Sequence, residues 1–327
     1  MRFETTTIRS VLGLRFRDAA TEQPVTRGLR VAVRRADGVG GSTQAVRTAS
    51  GAYVAQGLPG LRGYERAGAT IPDRSVSFQA TVKDEQDRYV PALLDLALPY
   101  DPDPANGGLY PILETPSELE GETREPTCYL FSAVQRPVTV GQSVVYADLV
   151  TEAPDGTLQP APHAVLEVEH EPDIENGNGS STGATWYSVA DAQGRVAVQF
   201  PLPSTQFEEL LAPPDDSTDD SIDGSSNGNG TNSNNSPTVG GRPLSSRTWT
   251  LTVRVRYEPS SLAIPNNADR PVLTSIFGQK PGTIYSDAST PEAERVATLR
   301  YGSPLVLTTD GLPNNRAALR IAPHGGT

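Results

Sequence analysis

Alternation with a period of two residues constrains this chain most, because only an extended strand puts every second side chain on one face. In VLGLRFRD, residues 11 to 18, Leu12, Leu14 and Phe16 share one face and Arg15 and Arg17 the other. GLRVAVRR repeats the pattern with Leu29, Val31 and Val33 against Arg30 and Arg34, and SVSFQATVK repeats it with Val76, Phe78, Ala80 and Val82. Such half-apolar strands suit antiparallel sheets packed on one side. Between them, DAATEQPV, ADGVGGS and LPGLRGYE carry turn chemistry. With 30 Gly and 29 Pro among 327 residues, and 36% apolar residues, the chain is punctuated too often for long helices.

The polar, proline-bearing stretch ETPSELEGETREPT, residues 114 to 127, separates two blocks. The first, residues 1–115, reads as one small sandwich. The second, residues 126–327, resumes with TCYLFSAVQ, SVVYADLVTE, HAVLEVEH, TWYSVAD and GRVAVQF. After a long polar interval, strand grammar returns in RTWTLTVRVRYEP, where Trp249, Leu251, Val253, Val255 and Tyr257 share a face. The expected fold class is therefore all-β: two antiparallel β-sandwich domains of the Ig-like or transthyretin-like kind.

The polar interval inside the second block, residues 204–245, includes PPDDSTDDSIDGSSNGNGTNSNNSPTVGG, where Ile222 and Val239 are the only sizeable apolar side chains. Two such residues cannot offset an ordering cost of about 1–2 kcal/mol per residue, so a long disordered acidic insertion within the second sandwich is expected. Between Ser204 and Gly241 stand Glu208, Glu209, Asp215, Asp216, Asp219, Asp220 and Asp223 with no base, and removing those seven charges from the formal −12 leaves −5 for the rest. That near-balance argues against a nucleic-acid partner, which needs a concentrated basic face; the Arg30, Arg34 and Arg35 group reads as a solvated strand face.

An internal echo links the blocks. TASGAYVAQGLPG at 48 to 60 and ADAQGRVAVQFPLP at 190 to 203 each close a small polar turn on glycine, then alternate, then reach proline. Glycine supplies the positive φ that a tight hairpin needs, and the acid of the second copy, Asp191, reads as a turn residue bonded to its own backbone. Preceded by LRFRDAATEQPVTRGLRVAVRR, the first copy resembles the carboxypeptidase regulatory-like domains, through Asp18, Thr21, Pro24, Val25, Gly51 and Tyr53. That resemblance covers residues 8 to 100 and implies a seven-stranded accessory sandwich. The second block, through YLFSAVQRPVTVGQSVVYADL, VADAQGRVAVQFPLP, WTLTVRVRYEP and LRYGSPLVLTTDG, resembles bacterial proteins associated with phage-tail-like contractile injection systems. It implies a structural subunit of an assembly, at the cap or at the baseplate.

Reactive constellations are sparse. His163 and His170 are an odd number of residues apart, which on a regular strand sends them to opposite faces and precludes a shared metal; His324 lies in a PHGGT tail expected to fray. Ser303 in YGSPL reads as a hairpin turn, since no nucleophile elbow surrounds it. Cys128 is the sole cysteine and reads as a small buried hydrophobe. The nearest approach to a metal site is Asp219, Ser221 and Asp223 before Gly224, which matches the opening of a calcium loop, but Gly230 stands where a bidentate Glu belongs. Asp173 and Glu175 read as part of a loop, and Trp186 and Trp249 as core residues more than a carbohydrate platform.

The expectation is thus a protein without catalytic centre or cofactor that docks on other subunits and on its own copies, the alternative being a ligand-binding or adhesive module dependent on carbohydrate or calcium. Asp95 interrupts VPALLDLALPY far short of the ~20 apolar residues of a membrane helix. The start MRFETTTIRS lacks the basic and apolar segments of a secretory signal, so a cytosolic protein, or one released within a particle assembled in the cytosol, is expected.

Overall fold

A computed structural model describes residues 10–65, 75–98, 128–170, 184–202, 248–313 and 317–324. The fold is all-β: among these residues strands dominate, and helix is confined to one five-residue α-helix and short 3₁₀ turns. The insertion expected at 204–245, with Asp219, Ser221 and Asp223, lies outside the described residues, as do Asp173 and Glu175.

The first block contains β1 (Leu12–Leu14), β2 (Phe16–Asp18), β3 (Leu29–Arg35), β4 (Thr43–Gln44), β5 (Val46–Arg47), β6 (Tyr53–Ala55), β7 (Val76–Asp84) and β8 (Ala92–Leu98). They form a sheet ordered β1-β6-β5 and another ordered β4-β3-β7-β8. The faces read from the sequence hold: Leu12, Leu14, Val31, Val33, Phe78, Ala80 and Val82 are buried in one apolar cluster. Burying a side chain of that size contributes roughly 1.5–3 kcal/mol.

VLGLRFRD is not one strand. It breaks at Arg15, because its two halves find different partners: β1 pairs antiparallel with β6, whereas β2 pairs parallel with β9 (Cys128–Leu130). Residue 128 opens the second block in the sequence, yet Cys128, Leu130 and Phe131 are buried in the first cluster.

The second block continues with β10 (Gln142–Glu152), β11 (Leu158–Pro160), β12 (Val165–His170), β13 (Ala184–Val189), β14 (Arg195–Pro201), β15 (Thr248–Arg256), α1 (Leu273–Phe277), β16 (Thr283–Tyr285), β17 (Pro291–Glu292), β18 (Arg295–Arg300), β19 (Leu305–Leu307) and β20 (Leu319–Ala322). One sheet runs β13-β12-β15-β18. In the other, β10 is the hub, pairing with β14 and β11 in antiparallel and with β19 and β20 in parallel fashion. Leu166, Val168, Leu251 and Val253 of the first sheet meet Val196, Val198, Phe200 and Leu149 of the second in another apolar cluster. Both tryptophans serve this core: Trp249 is buried, and Trp186 stacks on Phe200 with ring centroids 4.6 Å apart.

Charge pairing organises the far side of β12 and β15. Glu167 binds Arg256, and Arg254 bridges Glu169 and Glu294. On β14 the far side is covered as well: Ala197 and Gln199 are buried, and Gln199 Nε2 donates to the Arg136 carbonyl at 3.0 Å. The two apolar clusters adjoin, because Val165, Val189, Leu273 and Ile276 of the second block pack with the first.

Candidate functional site

The echo seen in the sequence is a repeated backbone device. In the first copy the Thr48 N–H donates to the Ala52 carbonyl at 2.8 Å and the Gly51 N–H to the Thr48 carbonyl at 3.1 Å; in the second, the Asp191 N–H donates to the Arg195 carbonyl and the Gly194 N–H to the Asp191 carbonyl, both at 2.9 Å. Gly51 and Gly194 hold φ of 84° and 77°. The turns match but their settings differ, since β5 and β6 pair within one sheet whereas β13 and β14 belong to different sheets.

Asp191 does what a turn residue should. Its Oδ1 accepts the Gln193 N–H at 2.9 Å and the Arg195 N–H at 3.0 Å, and its Oδ2 accepts from the Arg195 guanidinium at 2.8 and 3.0 Å. Both oxygens are occupied by the hairpin itself. That arrangement leaves no lone carboxylate poised for chemistry.

The sequence did not single out the most buried ion pair among the described residues. Asp18 ends β2, and Arg136 approaches it from the loop before β10. Nη1 of Arg136 donates to Oδ1 of Asp18 at 2.8 Å and Nη2 donates to Oδ2. The side chains are 10% and 6% exposed. Further donors fill the remaining valences: the Ala20 N–H at 2.9 Å and the Tyr89 hydroxyl at 3.2 Å to Asp18. Arg136 also donates to Ser132 Oγ at 3.0 Å and lies over the Tyr89 ring, 5.0 Å from its centroid. Burial alone would raise the Asp18 pKa, but the hydrogen bonds and charge of Arg136, joined by Ala20 and Tyr89, hold it below the ordinary value. Burial, with the neighbouring Asp18 charge, pushes the Tyr89 phenol up to about 12.

Beside this clamp, a cleft of about 310 Å³ opens where the blocks meet. Leu93, Phe131, Val189, Leu273 and Ile276 line its apolar part, and its polar lining includes His163, Asp191, Asp269 and Arg270. His163 precedes β12 and adopts φ of 62°, a left-handed conformation that costs a residue with a side chain roughly 1–3 kcal/mol. Its backbone is held there: the N–H donates to Ala190 O at 3.2 Å, and the carbonyl accepts from Gln279 Nε2 at 2.8 Å. Burial, then the nearby Arg270 charge, lowers the His163 pKa against a small opposing effect of Asp191, so the ring is neutral at pH 7.

The remaining sequence candidates are dispersed. His170 ends β12. His324 is not frayed: its N–H donates to Tyr257 O at 3.0 Å, and its Nδ1 lies 3.1 Å from Pro281 O. Ser303 sits in a turn, with its N–H donating to Arg300 O at 3.2 Å. Cys128 is buried, and burial pushes its thiol pKa up to about 12. Among the described residues, no three or more His, Cys, Asp or Glu side chains are grouped to hold a metal ion, and no helix is long and apolar enough to cross a membrane. No family model matches the chain, nor does any curated protein or solved structure.

Proposed function

We propose that this chain is a non-enzymatic structural subunit of a phage-tail-like contractile injection particle, acting by protein-protein docking at its cap or baseplate end. In this reading, two largely antiparallel β-sandwich units, residues 1–115 and 126–327, are joined as one rigid block, the first of carboxypeptidase regulatory-like type and the second bearing the acidic insertion at 204–245. The observation that carries the proposal is the Asp18–Arg136 ion pair, buried between the blocks beside the parallel β2–β9 pairing. A subunit that transmits load between neighbours needs its parts locked, and a hydrogen-bonded ion pair with few alternative geometries favours one arrangement. The resemblance of the second block to contractile-system proteins supports the choice of assembly. Sedimentation of particles from lysate tests it: the chain should co-sediment with sheath and tube proteins, and its absence from intact particles would remove the proposal.

That a cleft is present at all supports a second reading, a ligand-binding or adhesive module, for which carbohydrate and calcium are the ligands expected from the sequence. Addition of calcium or of soluble glycans should then raise the melting temperature of the full chain.

A further inference from the structure

We propose that the cleft between the blocks is a binding site for a small monocarboxylate with a compact apolar body, its carboxylate on the Arg270 guanidinium and its body against Leu93, Phe131, Leu273 and Ile276. The site stands apart from the particle reading and needs no assembly to operate.

The argument is one of unused donors. Arg270 gives hydrogen bonds from Nε and Nη2 to Asp269 at 2.9 Å each, and from Nη1 to Pro91 O at 3.2 Å. Both Nη atoms retain a further N–H, because each carries two. The side chain of Arg270 is 18% exposed whereas that of Asp269 is 74% exposed. Asp269 also lines the cleft, but its exposure lets water screen its charge, so the remaining Nη N–H groups of Arg270 can still meet a second carboxylate.

The other polar groups fit the same ligand. Asp191 would repel an anion if its charge were free, but the Gln193 and Arg195 N–H groups and the Arg195 guanidinium occupy both its oxygens. The His163 ring is half-buried and has no hydrogen-bond partner among the described residues, so it can donate to an acceptor in the cleft. A carboxylate is all acceptor and meets these donors; a sugar would bring hydroxyl donors to a wall that is mostly hydrocarbon. A cleft of about 310 Å³ suits a ligand of one ring and a short chain. The left-handed backbone of His163 is the kind of local strain that persists where a side chain must point at a site.

Isothermal titration of the full chain at neutral pH with 3-phenylpropanoate, and with its neutral isostere 3-phenylpropanamide, tests the site. The carboxylate should bind saturably at one site, with the amide weaker by about tenfold or more, as loss of a charge-assisted bond requires. Arg270→Gln should bring the carboxylate down to the affinity of the amide. Equal binding of acid and amide, no binding of the acid at millimolar concentration, or undiminished binding by a folded Arg270→Gln chain would each overturn the proposal. The comparison of acid with amide on the unaltered chain decides the matter even if the variant fails to fold.

Discussion

Arg136 grips Asp18 through both Nη atoms although the two residues lie 118 positions apart, so a strand end in the first block and a loop in the second share one buried ion pair. Removing either partner strands the other charge away from water. Asp18→Asn and Arg136→Leu should each destabilise the fold by about 3–5 kcal/mol in urea unfolding. Asp18→Leu combined with Arg136→Leu should recover part of that loss, because the double change leaves no orphaned charge.

Acid should act through the same pair. The folded pKa of Asp18 lies below its ordinary value, so its contribution is complete above about 3.9, the unfolded carboxylate value, and is lost as pH falls through the folded one. The stability gap between the unaltered chain and Asp18→Asn, followed by thermal unfolding across acid pH, should therefore be constant near neutrality and close below about pH 4.

His163 should add a separate, milder limb. Its folded pKa is lowered from 6.5, so the unfolded chain takes up the proton first. Stability should be full above pH 6.5, decline as pH falls from there to the lower folded value, and then level off with respect to this group. His163→Gln should flatten that limb in unfolding titrations carried downward from neutral pH through 6.5.

Gly194 is constrained twice. Its φ is 77°, and a β-carbon there would lie 2.4 Å from the Leu149 carbonyl oxygen and 3.0 Å from the Ala161 nitrogen. Gly141 has φ of 83° but open space around the same position. Gly141→Ala should thus cost about 1–2 kcal/mol, the left-handed penalty alone, and Gly194→Ala clearly more, as urea unfolding of the pair of variants would show.

The strands were legible because period-two alternation follows directly from the pleat: Leu12, Val31, Phe78, Val198 and Leu251 all lie inside, as their spacing requires. The hairpin at Asp191 was legible for a similar reason, since an aspartate three residues before a glycine can satisfy the turn by itself. Asp18 was read only as part of a turn motif, because the partner that buries it is remote and local spacing carries no trace of Arg136. The change of partner at Arg15 escaped for the same cause: alternation fixes which way a side chain points, not which strand lies alongside. The cleft was equally hidden, as His163, Arg270 and Phe131 come from three separated segments.

Cys128 and the two tryptophans offer the decisive test of whether the blocks behave as one body. The sole thiol is buried in the first cluster, and Trp186 and Trp249 pack in the second. In native buffer the thiol, with its pKa near 12, should resist alkylation. Equilibrium urea unfolding, read in one sample set by tryptophan fluorescence and by Cys128 labelling, should give superimposable transitions with a common midpoint. Two separated midpoints, with the thiol exposed while the tryptophans stay buried or the reverse, would contradict the account.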